Sequence, residues 1–128
     1  MTFNSVSKLL LELEINNKTF QLQLKRHLAP SIIRLIHKCL PINNVIRIDT
    51  KNSLYISLDI REGIIRPRRN FNKCDVAYNS LNSRIYFFLG NVETKQNMTL
   101  IGMIISNCEF MSKIKNFDTF RLYSCSNT

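Results

Sequence analysis

The stretch that decides the fold is Thr99-Leu-Ile-Gly-Met-Ile-Ile-Ser-Asn-Cys-Glu-Phe-Met-Ser-Lys-Ile114. Its first half is an apolar run that predicts a buried strand, and its second half predicts a short helix over about 108–115. A return strand is predicted over residues 118–124. The chain is therefore expected to end with a strand, a short helix and a final strand.

The first third of the chain predicts a β-hairpin that leads into a helix. Leucine or isoleucine occupies every second position from Leu9 to Ile15, which is typical of a strand with one apolar face. The same alternation returns from Phe20 to Leu24, after Asn16-Asn17, a pair that suits a tight turn. Pro30 then opens a predicted helix over about 29–40, whose apolar residues recur at three- and four-residue spacing.

The middle of the chain predicts short strands that are separated by loops. Strands are expected over residues 45–49, 54–59, 75–78 and 84–89. Residues 60–73 and 91–97 are predicted as loops, because Gly63 and Pro67 interrupt the first and the second is polar. The strand over 84–89 is apolar on both faces. One face is expected to fill the core, and the other to be covered by a helix, a loop or a partner.

Two groups of motifs in this order resemble the cyclophilin family. Leu22-Gln-Leu-Lys-Arg-His-Leu-Ala-Pro30 is similar to the hairpin and helix start with which cyclophilins begin. Ile101-Gly-Met-Ile-Ile105 and Met111-Ser-Lys-Ile114 are similar to a strand and a short helix of the same family. The match of order extends over residues 8–124.

The resemblance is closer to a set of small archaeal and bacterial cyclophilin-like proteins of unknown function. Asp75-Val76-Ala-Tyr78 and Ile85-Tyr-Phe-Phe-Leu-Gly90 are similar to their Asp-Val turn and aromatic strand. This resemblance implies a mainly β protein with one domain over residues 1–128, of which 1–7 are frayed. The implied fold is a closed cyclophilin-like β-barrel of about eight strands, capped by the helix over 29–40 and carrying the short helix over 108–115.

The signatures of active prolyl isomerases, Phe-Met-x-Gln-Gly-Gly and Gly-Ser-Gln-Phe-Phe, are absent from the sequence. We therefore predict no catalytic residue. The leading hypothesis is a non-catalytic module that binds a peptide or a small ligand in a groove near Tyr55, Arg84, Tyr86 and Phe88. The alternative is a weak peptidyl-prolyl isomerase, in which Arg47 or Arg84 would act as a donor in a hydrophobic pocket.

The charge of the chain supports a third hypothesis. Lysine and arginine number 18 against nine acidic residues, a formal net charge of +9 that favours acidic partners. Four of these cations, Arg66, Arg68, Arg69 and Lys73, lie in the loop over 60–73. They predict a nucleic-acid-associated accessory protein that contacts phosphate through this loop, or else cations that are solvated or paired with nearby acids.

The cysteine spacing and the length of the apolar runs indicate which cellular location and which cofactors to expect. The four cysteines, Cys39, Cys74, Cys108 and Cys125, show no C-x-x-C spacing, so free thiols in a reducing cytoplasm are expected. Cys74, next to basic residues, is either an activated thiol or a half-buried structural residue. No apolar run approaches the ~18 residues of a membrane span. We expect no metal, no cofactor, no membrane partner, and a monomer or homodimer.

Overall fold

A computed structural model describes residues 7–125, and within that range it contains ten strands, one α-helix and one 3₁₀ helix. The strands are β1 (Lys8–Ile15), β2 (Lys18–Lys25), β3 (Ile42–Val45), β4 (Arg47–Thr50), β5 (Ser53–Ser57), β6 (Arg68–Phe71), β7 (Asp75–Asn79), β8 (Arg84–Phe88), β9 (Val92–Ile104) and β10 (Thr119–Ser124). The helices are α1 (Pro30–Cys39) and the 3₁₀ helix Cys108–Lys113. The predicted frayed segment lies outside the described residues except for Ser7, whose carbonyl accepts a hydrogen bond from the N–H of Arg26.

Nine strands follow one another in the antiparallel order β3-β10-β1-β2-β9-β7-β8-β5-β4, and β6 branches off from β9. The prediction of a mainly β fold is confirmed, but the prediction of a closed barrel of about eight strands is wrong. The sheet begins at β3 and ends at β4, and no ladder joins these two strands. The physical reason is that β3 and β4 are halves of one segment, separated only by Ile46. One half pairs with β10 and the other with β5.

The hairpin and both helices were predicted correctly. Asn16 and Asn17 have φ angles of 52° and 66°, so both turn residues are left-handed, as a two-residue hairpin turn of type I′ requires. Helix α1 begins at Pro30 and buries Ile32, Ile33 and Ile36. Within residues 7–125 no helix has both the length and the apolar character needed to cross a membrane.

Two predicted loops are strands in the structure. The loop over 60–73 contains β6, and the loop over 91–97 is the first half of β9. These segments pair with each other, with Arg68 opposite Met98 and Phe71 opposite Val92. We call this pair, β6 with residues 92–98 of β9, the ribbon. Most of its side chains are exposed, so it lacks the apolar alternation from which the other strands were predicted.

The described cysteines include one disulfide, between Cys74 and Cys108, whose Cα atoms lie 6.0 Å apart. This corrects the expectation that all four thiols are free, and a bonded Cys74 is not an activated thiol. The bond ties the residue before β7 to the first residue of the 3₁₀ helix. No local sequence motif predicts this disulfide, because its two cysteines are 34 residues apart in sequence and are brought together only by the strand order. Neither Cys39 nor Cys125 takes part in a disulfide.

The junction of β1 and β10 carries a hydrogen bond that makes stability depend on pH. Glu12 and Tyr123 are register partners, and the Tyr123 hydroxyl donates to Oε2 of Glu12 at 2.7 Å. This bond, helped by burial, raises the pKa of Tyr123 to about 12. The unfolded chain releases this proton near pH ~10. The stabilisation is therefore complete below pH ~10 and is lost as the pH rises towards ~12.

We expect the substitution Tyr123→Phe to remove the last step of a tyrosinate absorbance titration. It should also reduce the loss of stability across the interval between pH ~10 and ~12. A last step that keeps its midpoint near pH 12 in this variant would contradict the assignment to Tyr123.

Candidate ligand-binding site

The face of the sheet that points away from α1 carries a second apolar cluster. Along β8 the side chains alternate: Ile85 and Phe87 join the main core, while Tyr86 and Phe88 join the outer cluster. The other buried members of the outer cluster are Tyr55, Phe71, Ala77 and Met98. Both faces of β8 are therefore buried, as its apolar sequence predicts.

The structure brings together all four predicted groove residues. Arg84 lies with its Cζ 4.1 Å from the centroid of the Tyr55 ring, and its Nη1 donates to the Tyr86 hydroxyl at 3.4 Å. The rings of Tyr55 and Tyr86 are 5.4 Å apart, and those of Tyr86 and Phe88 are 6.2 Å apart. The register explains this arrangement, because Tyr55 on β5 pairs with Tyr86 on β8.

Three of the four residues are deeply covered. The exposed fractions of Tyr55, Tyr86 and Phe88 are 8%, 5% and 1%. The ribbon supplies part of the cover, since the Phe71 ring stacks on the Phe88 ring at 4.8 Å. This part of the cover is a two-stranded ribbon, built from the two segments that we predicted as loops. The aromatic residues form a floor and not an open groove.

An open pocket of about 380 Å³ remains between this floor and the ribbon. Its lining residues are Asp49, Thr50, Ser53, Tyr86, Phe88, Val92, Glu93, Thr94, Lys95, Gln96 and Met98. Tyr86, Phe88 and Met98 make the floor apolar, and polar side chains of β4 and β9 surround it. A larger hollow of about 720 Å³ lies at the β1–β2 turn, but it contains none of the predicted residues and its lining is mostly polar.

The polar wall of the pocket was missed at the sequence level. Ser53 is buried; its hydroxyl lies 2.9 Å from the Thr50 hydroxyl and donates to Asp49 Oδ2 at 3.2 Å. No local signal points to these residues, because they approach the floor only through the pairing of β4, β5 and β8. The residues contributed by β9 lie in a segment that we predicted as a loop.

Arg84 lies over the ring of Tyr55, a member of the outer aromatic cluster. The hydrogen bond to Tyr86 and the partial charges of Tyr55 and Tyr86 raise its pKa, while partial burial opposes the rise. Asp49 adds a smaller electrostatic contribution in the same direction. Arg84 therefore stays fully charged at any physiological pH.

The four basic residues of the predicted phosphate site are not alike. Arg68 and Arg69 belong to the ribbon: Nε of Arg68 donates to the Asn70 carbonyl at 2.9 Å, and Nε of Arg69 donates to the Thr94 carbonyl at 2.9 Å. Arg69 also forms an ion pair with Glu93 at 3.5 Å. The exposed side chains of Arg66 and Lys73 make no hydrogen bond or ion pair within residues 7–125. Two of the four cations thus hold the ribbon together.

Comparison with known proteins finds two solved structures that share this fold. No family model matches the sequence, and no curated protein matches it. The hypothetical protein AF2241 from Archaeoglobus fulgidus superposes with a TM-score of 0.81 over 97% of this chain and 100% of its own, at 16% identity. McbB, solved in complex with tryptophan, superposes with a TM-score of 0.77 over 92% of this chain and 45% of its own, at 11% identity. At such identities the likeness shows the fold alone.

Proposed function

We propose that this chain is a non-catalytic binding module of the cyclophilin-like class, which holds a small ligand or a short peptide segment in the outer-face pocket. The observation that carries the proposal is a pocket of about 380 Å³ whose floor is aromatic and whose wall is polar. Ligand pockets of ~300–1,000 Å³ commonly have this composition, because apolar area gives affinity and a few polar groups give orientation.

Two further observations support this proposal. The sequence motifs resemble small cyclophilin-like proteins, while the signatures of active isomerases are absent. McbB, of which 45% superposes on this chain, was solved in complex with tryptophan, and this makes tryptophan a natural probe for the pocket. The prediction of a cytoplasmic location rested on free thiols, and the Cys74–Cys108 bond removes that support. The proposal therefore assigns no compartment.

The test is a titration of ¹⁵N-labelled protein with L-tryptophan, with an Ala-Pro peptide and with a set of small aromatic fragments. We expect shifts of the amide signals of Tyr86, Phe88 and residues 92–98. Millimolar probes that leave these amides unchanged, or that shift mainly those around the β1–β2 turn, would show that the pocket is not the binding site.

Matched substitutions on one strand separate the pocket from the core. Phe88→Leu removes a ring from the pocket floor. Phe87→Leu removes a ring from the main core, at the neighbouring position on the opposite face of β8. Since an aromatic pair contributes ~0.5–1.5 kcal/mol beyond its buried area, we expect Phe88→Leu to weaken ligand binding about two- to tenfold. Phe87→Leu should leave the affinity of the folded protein unchanged. Equal losses in the two variants would place the binding site elsewhere.

The weak isomerase remains the second candidate, and the position of Arg84 over an aromatic ring favours it. Uncatalysed cis/trans exchange of an Ala-Pro peptide takes tens to hundreds of seconds. Exchange peaks within about one second, in the presence of substoichiometric protein, would therefore establish catalysis.

The nucleic-acid hypothesis rests on the exposed Arg66 and Lys73. It predicts a steep fall of oligonucleotide affinity with salt, and a shallower fall after both residues are changed to alanine.

A further inference from the structure

Arg84 forms no ion pair in the described part of the chain. A guanidinium carries five N–H donors, and the single hydrogen bond recorded for Arg84 uses Nη1, which donates to the Tyr86 hydroxyl. The one ion pair within residues 7–125 joins Arg69 to Glu93. The negative charge of Asp49 raises the pKa of Arg84 slightly, but this carboxylate does not approach to ion-pair distance, and its Oδ2 accepts from Ser53. Most donors of this half-buried cation are thus available to a ligand.

A second arginine lies on the strand that neighbours Tyr55. Arg47 is the register partner of Tyr55, so the two side chains leave the sheet on the same face, with Cβ atoms ~5 Å apart. The guanidinium of Arg47 lies over the Phe117 ring at 4.5 Å, and no ion pair holds it within residues 7–125. Arg47 and Arg84 each lie over an aromatic ring, and neither forms an ion pair within residues 7–125.

Stacking fixes the orientation of the Arg84 fork. The Cζ atom lies 4.1 Å from the Tyr55 ring centroid, and the Tyr86 hydroxyl accepts from one edge of the guanidinium. A guanidinium that is held in this way loses little further freedom when it binds a planar anion through two parallel hydrogen bonds. Arg84 does not itself line the pocket, but its hydrogen-bond partner Tyr86 does, so the guanidinium lies beside the pocket next to Tyr86.

We propose that Arg84 anchors an anionic group of the ligand, a carboxylate or a phosphate, while the apolar part of the ligand lies on Tyr86 and Phe88. This inference rests on the proposed function and specifies the ligand class for the same pocket. It requires a ligand with an anion at one end and an apolar or aromatic body adjacent to it.

The test uses three probes of nearly equal shape: benzoate, phenyl phosphate and the uncharged benzamide. We expect one or both anions to bind at least about tenfold more tightly than benzamide, since hydrogen bonds to charged groups are roughly twice as strong as neutral ones. They should also shift the Arg84 Nε–H signal. Preference for benzoate would identify a carboxylate ligand, and preference for phenyl phosphate a phosphate ligand.

Three substitutions separate the fork from the net charge. Arg84→Gln should reduce affinity for the preferred anion about tenfold or more and reduce benzamide affinity by a clearly smaller factor. Arg84→Lys keeps the charge but not the fork, so it should restore only part of the loss for benzoate. Arg34→Gln makes the same change of charge on the exposed face of α1 and should have little effect.

The outcomes distinguish this inference from the proposed function. If benzamide binds as tightly as the anions and all three probes shift Tyr86 and Phe88, the anion site is wrong and the pocket stands. If no probe shifts these amides, the pocket itself is wrong. If Arg34→Gln weakens anion binding as much as Arg84→Gln, the attraction comes from the net charge and the inference fails.

Discussion

Replacing Gly102 by alanine is expected to remove a large part of the free energy of unfolding. Gly102 lies in β9 between two neighbours, with Leu24 of β2 on one side and Val76 of β7 on the other. A Cβ atom added there would clash with the Gln23 carbonyl oxygen and would lie 2.8 Å from Leu24 Cα. Every one of these atoms is backbone. The clash cannot be relieved by rotating a side chain, so β2 would have to move away from β9.

The expected loss in the free energy of unfolding follows from the displacement of β2. Ordinary overpacking of a core costs ~1–3 kcal/mol, and displacing a paired central strand should exceed the upper value. Since small domains are stable by only ~5–15 kcal/mol, such a loss removes a large part of the total. None of the described glycines has a positive φ angle, so lack of space and not backbone conformation is the reason for glycine here.

Gly63 provides the matched control. A Cβ atom added to Gly63 has no atom within 4 Å, so Gly63→Ala should change the free energy of unfolding by no more than ~0.5 kcal/mol. Urea unfolding followed by circular dichroism measures both variants, and the chain contains no tryptophan for fluorescence. Equal midpoints for Gly102→Ala and Gly63→Ala would show that β2 and β9 are not packed as described.

Removing the Cys74–Cys108 disulfide should give the second large effect. The bond closes a loop with a sequence separation of 34 residues, and the entropy of the open loop in the unfolded chain corresponds to about 3–4 kcal/mol. We expect the double variant Cys74→Ala, Cys108→Ala to unfold at a lower urea concentration than the oxidised protein. A reducing agent should bring the native chain close to the double variant and leave that variant unchanged.

Cys39→Ala is the control, because Cys39 takes no part in a disulfide. It should keep the full response to the reducing agent. Thiol titration in denaturant supplies an independent count: two reactive thiols are expected from the oxidised protein, and four would contradict the bond.

The sequence predicted well those elements whose burial is periodic. The alternation from Leu9 to Leu24 predicted β1 and β2, and the three- and four-residue spacing after Pro30 predicted α1. It failed for the ribbon, because strands with little buried surface have no apolar alternation to detect. It also failed for the closed barrel. A break at Ile46 that sends two halves of one segment to different partners is decided by pairing and not by local pattern.

The candidate site was predictable to the same extent. Tyr55, Arg84, Tyr86 and Phe88 lie on two recognisable strands with side chains at alternate positions, so a groove containing all four could be proposed before their pairing was known. Asp49 and the β9 part of the wall could not be found in this way. They reach the pocket only because β4 and the ribbon lie beside those strands in the fold.

Strand β9 pairs with β2 and β7 in its second half and with β6 in its first half. We therefore expect its amide protons to exchange with solvent on two timescales. Residues 99–104 pair with β7 or β2 inside the large sheet, whereas residues 92–98 pair with β6 alone. Hydrogen exchange in the first group should require global unfolding, while exchange in the second should need only the local separation of two exposed strands. We therefore expect the pocket wall to open and close while the rest of the protein stays folded. A bound ligand should slow hydrogen exchange in residues 92–98 and leave residues 99–104 unchanged.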